Sequence, residues 1–301
     1  MEFRRELFVD VQTMTAGLQE RPAIRMVVNA DDFGYFDQVS RGIIEAMEQG
    51  VVTATGVMAN GPALARWVGR LKALPAASVG VHLNVTLGEP LTAGMKSALA
   101  PWRGEFPGKG TLVAAVLRGR IAMDTVLQEW RAQIERCLEA GLKLEFLNSH
   151  EHIHMLPSLY SRTRELANEF NIPHVRAPRA EWGPKWTVAG CVRSSVFAAV
   201  RGLVPKPPCS EPELIGLASS GRLDHDYFEW RFARLERHKD YELMCHPGWQ
   251  DPQAQAEPKL AAYHDWEGEL QALMNADFVK LLAANRIVLS SYADLDKSHC
   301  R

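Results

Sequence analysis

The feature that most constrains this chain is an alternation. Short apolar, β-branched runs keep returning, and a helical stretch separates almost every pair of them. Residues 24–28, 53–58, 78–84, 144–150, 174–176, 213–216, 241–246 and 287–290 read as strands. Residues 39–48, 63–74, 112–117, 125–140, 159–170, 187–203, 224–238 and 263–283 read as helices. A chain that returns through a helix re-enters the sheet from the same end each time, so the strands must run parallel. Seven or eight such units, with no dinucleotide-binding glycine fingerprint, favour the α/β class and a distorted (β/α) barrel. No composition shift or internal repeat divides the chain, so 23–301 is expected to be a single barrel domain behind an extension at 1–22. Two stretches lack a period: 88–110, rich in Gly and Pro, and 249–259, which bears proline. Both read as loops at strand ends. Pro205-Lys206-Pro207-Pro208 reads as a rigid connector.

In a β/α barrel, functional groups collect where the strands end, because the βα loops converge on one face. The polar residues follow that rule. Asp31 and Asp32 close the first strand, with Gly34 free to turn behind them. His82 stands at the end of the third strand, His150 at the fourth, Arg176 at the fifth and His246 at the seventh. Where a strand curls at its end, two neighbouring carboxylates can reach one pocket, one to bind a metal and one to exchange protons. The plainer account is a solvated Asp-Asp-x-Gly turn. One carboxylate with two neutral imidazoles is a common catalytic set for a divalent metal, and it leaves positions for water. His150, His152 and His154 alternate at strand period, so all three could face one way. Cys245 and His246 point to opposite faces by the same rule, which argues against a thiol nucleophile.

Composition removes several classes of function. A formal charge of −2 with the signs interspersed gives no argument for a nucleic-acid partner. The five cysteines are odd in number and form no C-x-x-C, so they read as buried thiols in a reducing compartment. There is no apolar run of 18 residues and the N-terminus has mixed charge, so a soluble cytoplasmic protein without a membrane span is expected. Assembly is left open, a homodimer included.

Four blocks carry a resemblance. Ala30-Asp31-Asp32-Phe33-Gly34, Gly80-Val81-His82-Leu83-Asn84, Asn148-Ser149-His150-Glu151-His152-Ile153-His154 and Cys245-His246-Pro247-Gly248 resemble the signature blocks of the YdjC-like carbohydrate deacetylases. That family includes chito-oligosaccharide deacetylases and a branch associated with hopanoid biosynthesis. The resemblance spans about residues 24 to 290 and implies a distorted β/α barrel. It also implies one divalent metal ion, zinc or magnesium, and removal of acetyl from an N-acetylated sugar or glycolipid. Carried over, Asp32, His82 and His150 would hold the metal, Asp31 would be the general base and His246 the acid. His152, His154 and Arg176 are left as candidate substrate contacts, with Arg176 alternatively orienting Asp31. Asn148 stands where the family often has Asp, which implies a weaker contact to a metal ligand.

Two other readings compete. An amidohydrolase-type barrel would take an H-x-H pair from its first strand, where this chain has Asp-Asp. A non-catalytic sugar-binding barrel would have no use for Asp31. Trp102, Trp182, Trp186, Trp249 and Trp266 lie in or beside loops, where they could stack on sugar rings or pack the loops. The apolar residues Leu91, Met95, Leu99, Trp102 and Phe106 suggest a wall for a lipid-linked sugar, or else a packed loop.

Overall fold

β1 (Ile24–Phe33) lies at the centre of a parallel sheet. The computed structural model describes residues 24–177, 180–183, 188–204, 211–255 and 257–295. The extension at 1–22, Trp186 and the 205–208 connector lie outside the described residues. β2 (Ala54–Val57), β3 (Ser78–Leu83), β4 (Leu144–Ser149) and β5 (His174–Val175) follow one another outward from β1. On its other side stand β7 (Asp240–Cys245) and then β6 (Glu213–Ile215), while β8 (Ile287–Leu289) pairs with the beginning of β1. The order 5-4-3-2-1-7-6 is that of a curled half-barrel, with β5 and β6 at its edges. β1 to β4 and β7 are almost wholly buried, as expected when helices cover a parallel sheet.

The helices follow in chain order: α1 (Asp37–Glu48), α2 (Leu64–Lys72), α3 (Ala93–Ala98), α4 (Lys109–Leu117), α5 (Met123–Glu139) and α6 (Pro157–Glu169). After β5 come α7 (Val188–Leu203), α8 (His225–Phe232), α9 (Pro252–Gln255), α10 (Pro258–Tyr263), α11 (Trp266–Met274) and α12 (Ala276–Ala284). Helices and strands share one continuous apolar core from Ile24 to Ile287. None of the described helices is long and apolar enough to cross a membrane.

Three sequence expectations are corrected. The 88–110 loop contains α3, because Thr92 caps it and buried Glu129 on α5 accepts from Leu91 N, Thr92 N and Thr92 Oγ1 at 2.8–2.9 Å. Its apolar residues serve packing: Met95 and Leu99 are fully buried and Phe106 nearly so. The single helix expected over 263–283 is two, broken where Asn275 turns extended and its side chain caps Asp277 N at 2.9 Å. The loop at 249–259 holds the short α9 and the start of α10, each opened by a proline.

Candidate active site and metal centre

The strand bearing the acid pair does not stop at Val28. β1 continues through both acids to Phe33, with its register against β2 shifting between Ala30 and Phe33. Asp32 sits in that irregularity with φ at 70°, a left-handed conformation that Asp tolerates better than most residues. The bulge breaks strict strand alternation, so both carboxylates reach His82, at 3.4 and 3.2 Å, while their other partners differ.

Asp31 is almost fully enclosed. Its Oδ1 accepts from Asn29 Nδ2 at 2.8 Å, Asn148 Nδ2 at 2.8 Å and Arg176 Nη2 at 3.1 Å, and its Oδ2 accepts from Arg176 Nη1 at 2.6 Å. The same guanidinium binds Glu242 of β7, so one buried cation is shared by two buried carboxylates. Burial pushes the Asp31 carboxyl up, but Arg176 and then His82 outweigh it and hold the acid well below the usual carboxylate range.

Asp32 meets imidazoles instead. Its Oδ1 lies 3.2 Å from His82 Nε2 and 3.0 Å from His150 Nδ1. The ligand atoms of Asp32, His82 and His150 all lie within 4.8 Å of one another, and all three residues are buried. Hydrogen-bond chemistry tests whether a cation fits there. Asn148 must turn Nδ2 toward the acceptor Asp31, which leaves its Oδ1 facing His82 Nδ1 at 2.7 Å. That nitrogen therefore carries a ring proton, and Nε2 is the ring atom turned toward Asp32 Oδ1. A divalent cation would fit there, with the Nε2 lone pair of a neutral ring and the Asp32 carboxylate 3.2 Å apart as two of its ligand atoms. Asn148 thus keeps the contact to His82 with a neutral amide oxygen, and its amide also donates to Asp31, which an ionised Asp could not do.

The histidine cluster does not keep strand period. Glu151 and His152 have φ of 52° and 57°, so the chain coils after β4 into a short 3-10 turn over His150–Met155. His150 alone of the three joins the metal cluster. His154 is fully buried, with Nδ1 2.6 Å from Ser149 Oγ and Nε2 2.9 Å from the Arg176 carbonyl. Burial holds its pKa down at about 3. His152 packs its ring edge-on against Phe197 of α7 at 5.2 Å, and its buried Nδ1 has no hydrogen-bond partner among the described residues. Burial and then Arg176 hold His152 well below the usual imidazole range.

His246, after β7, is mostly buried, and its Nδ1 has no hydrogen-bond partner among the described residues. Burial lowers its pKa while Asp32 and Asp31 pull the other way. Its backbone N–H donates to Glu269 of α11 at 2.5 Å, and Glu269 also accepts from Leu223 N at 3.0 Å. Burial pushes that carboxyl up to about 8. The His264 ring packs against His246 at 4.8 Å and stacks on Trp266 at 4.9 Å.

Sequence reasoning missed Glu242, Glu269, His264 and Gly56. A signal existed for Glu242, since a carboxylate amid the apolar run of a central strand requires a buried cation. Gly56 of β2 leaves room for the network: a Cβ there would lie 3.0 Å from Asp31 Oδ1 and 3.3 Å from Asn148 Oδ1. Its signal was a glycine inside a strand, which marks close approach.

The sequence profile of the YdjC-like protein family matches residues 25–284. A carbohydrate deacetylase of Brevibacillus brevis is 38% identical over 156 residues, 52% of this chain and 60% of that protein. One from Geobacillus stearothermophilus is 39% identical over 147 residues, 49% of this chain and 57% of that protein. These two alignments thus span less than two thirds of their relatives. A carbohydrate deacetylase of Clostridium beijerinckii is 26% identical over 275 residues, 90% of this chain and 100% of that protein. Among solved structures, a protein of Enterococcus faecalis V583, provisionally described as a cellobiose-phosphate cleavage protein, superposes with a TM-score of 0.68. It is 22% identical, and the match covers 90% of this chain and 98% of that one. That likeness concerns the fold.

Proposed function

The chain belongs to the family of YdjC-like proteins, and from that premise we propose that it is a carbohydrate deacetylase. It hydrolyses the N-acetyl group of an N-acetylglucosamine-containing sugar or glycolipid, releasing acetate and a free amine. The observation that carries this reading is the division of the acid pair: Asp32 faces two imidazoles, while Asp31 is held by Arg176 and two asparagine amides. The relatives named carbohydrate deacetylases support it. Zinc or magnesium held by Asp32, His82 and His150 would polarise the acetyl carbonyl and lower the pKa of a water toward neutrality.

The chain's own residues supply the proton movements. Asp31 is the general base. Its Oδ1 already accepts three hydrogen bonds, whereas Oδ2 accepts one from Arg176 and keeps a lone pair for the water's proton. A carboxylate held this low stays ionised at every working pH, though it is a weaker base for it. His246 gives a proton to the departing amine. Because burial lowers its pKa, fewer molecules carry that proton as pH rises, and turnover falls on the alkaline side. Arg176 and His154 act as positioning groups: the first orients Asp31, and the second ties the 150–155 turn to the Arg176 carbonyl. His152, on the wall beside Phe197, is the substrate contact we retain from that cluster.

We place the reaction in the cytoplasm, where the buried free thiols Cys137 and Cys245 would stay reduced. The acetylated unit we favour is N-acetylglucosamine. A lipid-linked form such as a hopanoid glycoside stays within the proposal, although the 88–110 segment cannot be its apolar wall, since Met95, Leu99 and Phe106 are buried. Chelator-treated protein should lose acetate release from chitobiose or an N-acetylglucosaminyl lipid and regain it with a divalent ion. Full activity in metal-free protein would sink the mechanism. Equal or faster turnover of chitobiose at matched sugar concentration would remove the lipid-linked form from the proposal.

A further inference from the structure

The loop that carries His246 is gripped by the helix that follows the acid pair. Gly42, in the middle of α1, is buried against the backbone of Gly248. A Cβ at Gly42 would lie 2.6 Å from Gly248 Cα and 2.9 Å from its carbonyl carbon, and one at Gly248 would lie 2.8 Å from Val39 Cα. Two backbones therefore touch where side chains ordinarily keep them apart. Glycine inside a helix costs about 1 kcal/mol relative to alanine, so its place here answers to that contact. Three hydrogen bonds repeat the grip. Trp249 N donates to the Gln38 carbonyl at 3.1 Å, Trp249 Nε1 to Glu45 Oε2 at 2.8 Å, and Gln38 N to Asp251 Oδ2 at 2.9 Å.

The same turns of α1 hold the other half of the site. Gly34, just behind the acid pair, donates its N–H to Ser40 Oγ at 2.9 Å, and that hydroxyl donates to the Phe36 carbonyl at 2.7 Å. Within the sheet, Ala30 of β1 is in register with Cys245 of β7, so Asp31 and His246 leave adjacent strands at one level. The pairing of β1 with β7 goes no further, and beyond it α1 is bound to both chains. Groups that must act together on one bond tolerate little error, since a misplacement of about 1 Å can cost roughly 10²-fold in rate.

We propose that Gly42 is a positioning residue for the reaction: by letting α1 rest on the backbone of Gly248, it sets how far His246 stands from the acid pair. This rests on the reading of His246 as the acid. A methyl group at Gly42 cannot be absorbed by a side-chain rotation, because the atoms it would meet first are main chain. The loop must draw away from α1 and carry His246 with it, while Asp32, His82 and His150 stay on their own strand ends.

The test is a double-mutant cycle of Gly42→Ala with His246→Gln. Acetate release would be read on whichever of chitobiose and an N-acetylglucosaminyl lipid turns over faster. Gly42→Ala should lower kcat by about 10–100-fold, with KM unchanged and metal affinity unchanged by calorimetry. On the His246→Gln background the same change should cost less than about twofold, since the group it displaces is gone. Trp249→Phe removes the bond to Glu45 without adding bulk, and should lower kcat by about two- to fivefold with the same coupling to His246→Gln. It decides the matter if Gly42→Ala does not fold. Undiminished kcat in Gly42→Ala, or in Trp249→Phe should the first not fold, would overturn the proposal and leave the deacetylase reading standing. So would losses that multiply with that of His246→Gln, because Gly42 would then act on the fold at large. A wild type that binds its metal and releases no acetate would overturn both.

Discussion

The two sides of the mouth are built in opposite ways. On the side of β1 to β4, polar atoms are tied down before any substrate arrives: Asp31 holds four hydrogen bonds, and Asn148 bridges it to His82. On the side of α7, Val196 and Leu203 stand in solvent. Electrostatic catalysis profits from dipoles already in place, since a group that must reorient during reaction loses much of its effect. A solvent-facing helix has no such network to disturb, so a change there meets few partners. Substitutions on the first side should therefore reach the chemistry, and at the buried cation the fold as well, whereas those on the second should leave both intact.

The largest expected break is Arg176→Leu. It leaves Asp31 and Glu242, each with a side chain 1% exposed, as neighbouring buried carboxylates without their cation. A loss of about 3–5 kcal/mol is expected in denaturant unfolding, enough to unfold a marginal protein. A loss below about 1 kcal/mol would mean that the triad is not the strut described here.

Gly56→Ala is subtler. Its Cβ would press on Asp31 Oδ1, the His82 Cβ and Asn148 Oδ1 from 3.0–3.3 Å. The fold should survive, but disturbing groups that orient a ligand weakens metal affinity by about 10–100-fold, readable by calorimetry. Unchanged affinity would show that the Asn148 bridge tolerates displacement.

Acid should reach the first side through His154. Its folded pKa, about 3, lies below the ordinary 6.5, so an unfolded chain takes up a proton there that the folded one does not. The stability it supports is complete above pH 6.5 and declines as pH falls toward 3. His154→Gln should show a shallower decline over that window, and identical slopes would remove His154 from the account. The smallest effect belongs to the second side, where Val196→Glu/Leu203→Glu should shift unfolding by no more than about 0.5 kcal/mol. A larger loss would mean that α7 packs its outer face inward.

The strand–helix alternation was legible because parallel strands buried on both faces must be nearly continuous apolar runs, as Met26-Val27-Val28 and Leu243-Met244-Cys245 are. Strand ends were legible as the site for the same reason, since Asp31, Asp32, His82 and His150 interrupt such runs. Backbone geometry after the strands was not. Nothing in His150-Glu151-His152 announces two left-handed residues, so strand alternation was extended one turn too far. The α11–α12 break was hidden because Asn275 reads as a tolerable helix residue until its side chain is seen capping the next helix. Glu269 and His264 were invisible for a different reason: what places them beside His246 is the packing of distant segments.

The division of labour in the acid pair is the central claim, and one paired measurement addresses it. Metal binding by calorimetry and acetate release would be recorded on wild type, Asp31→Asn and Asp32→Asn. Asp31→Asn should keep its metal and lose turnover by roughly 10²–10⁴-fold, the usual worth of a positioned base, while Asp32→Asn should lose the metal itself. Metal loss in Asp31→Asn with retention in Asp32→Asn would contradict the account and exchange the two roles.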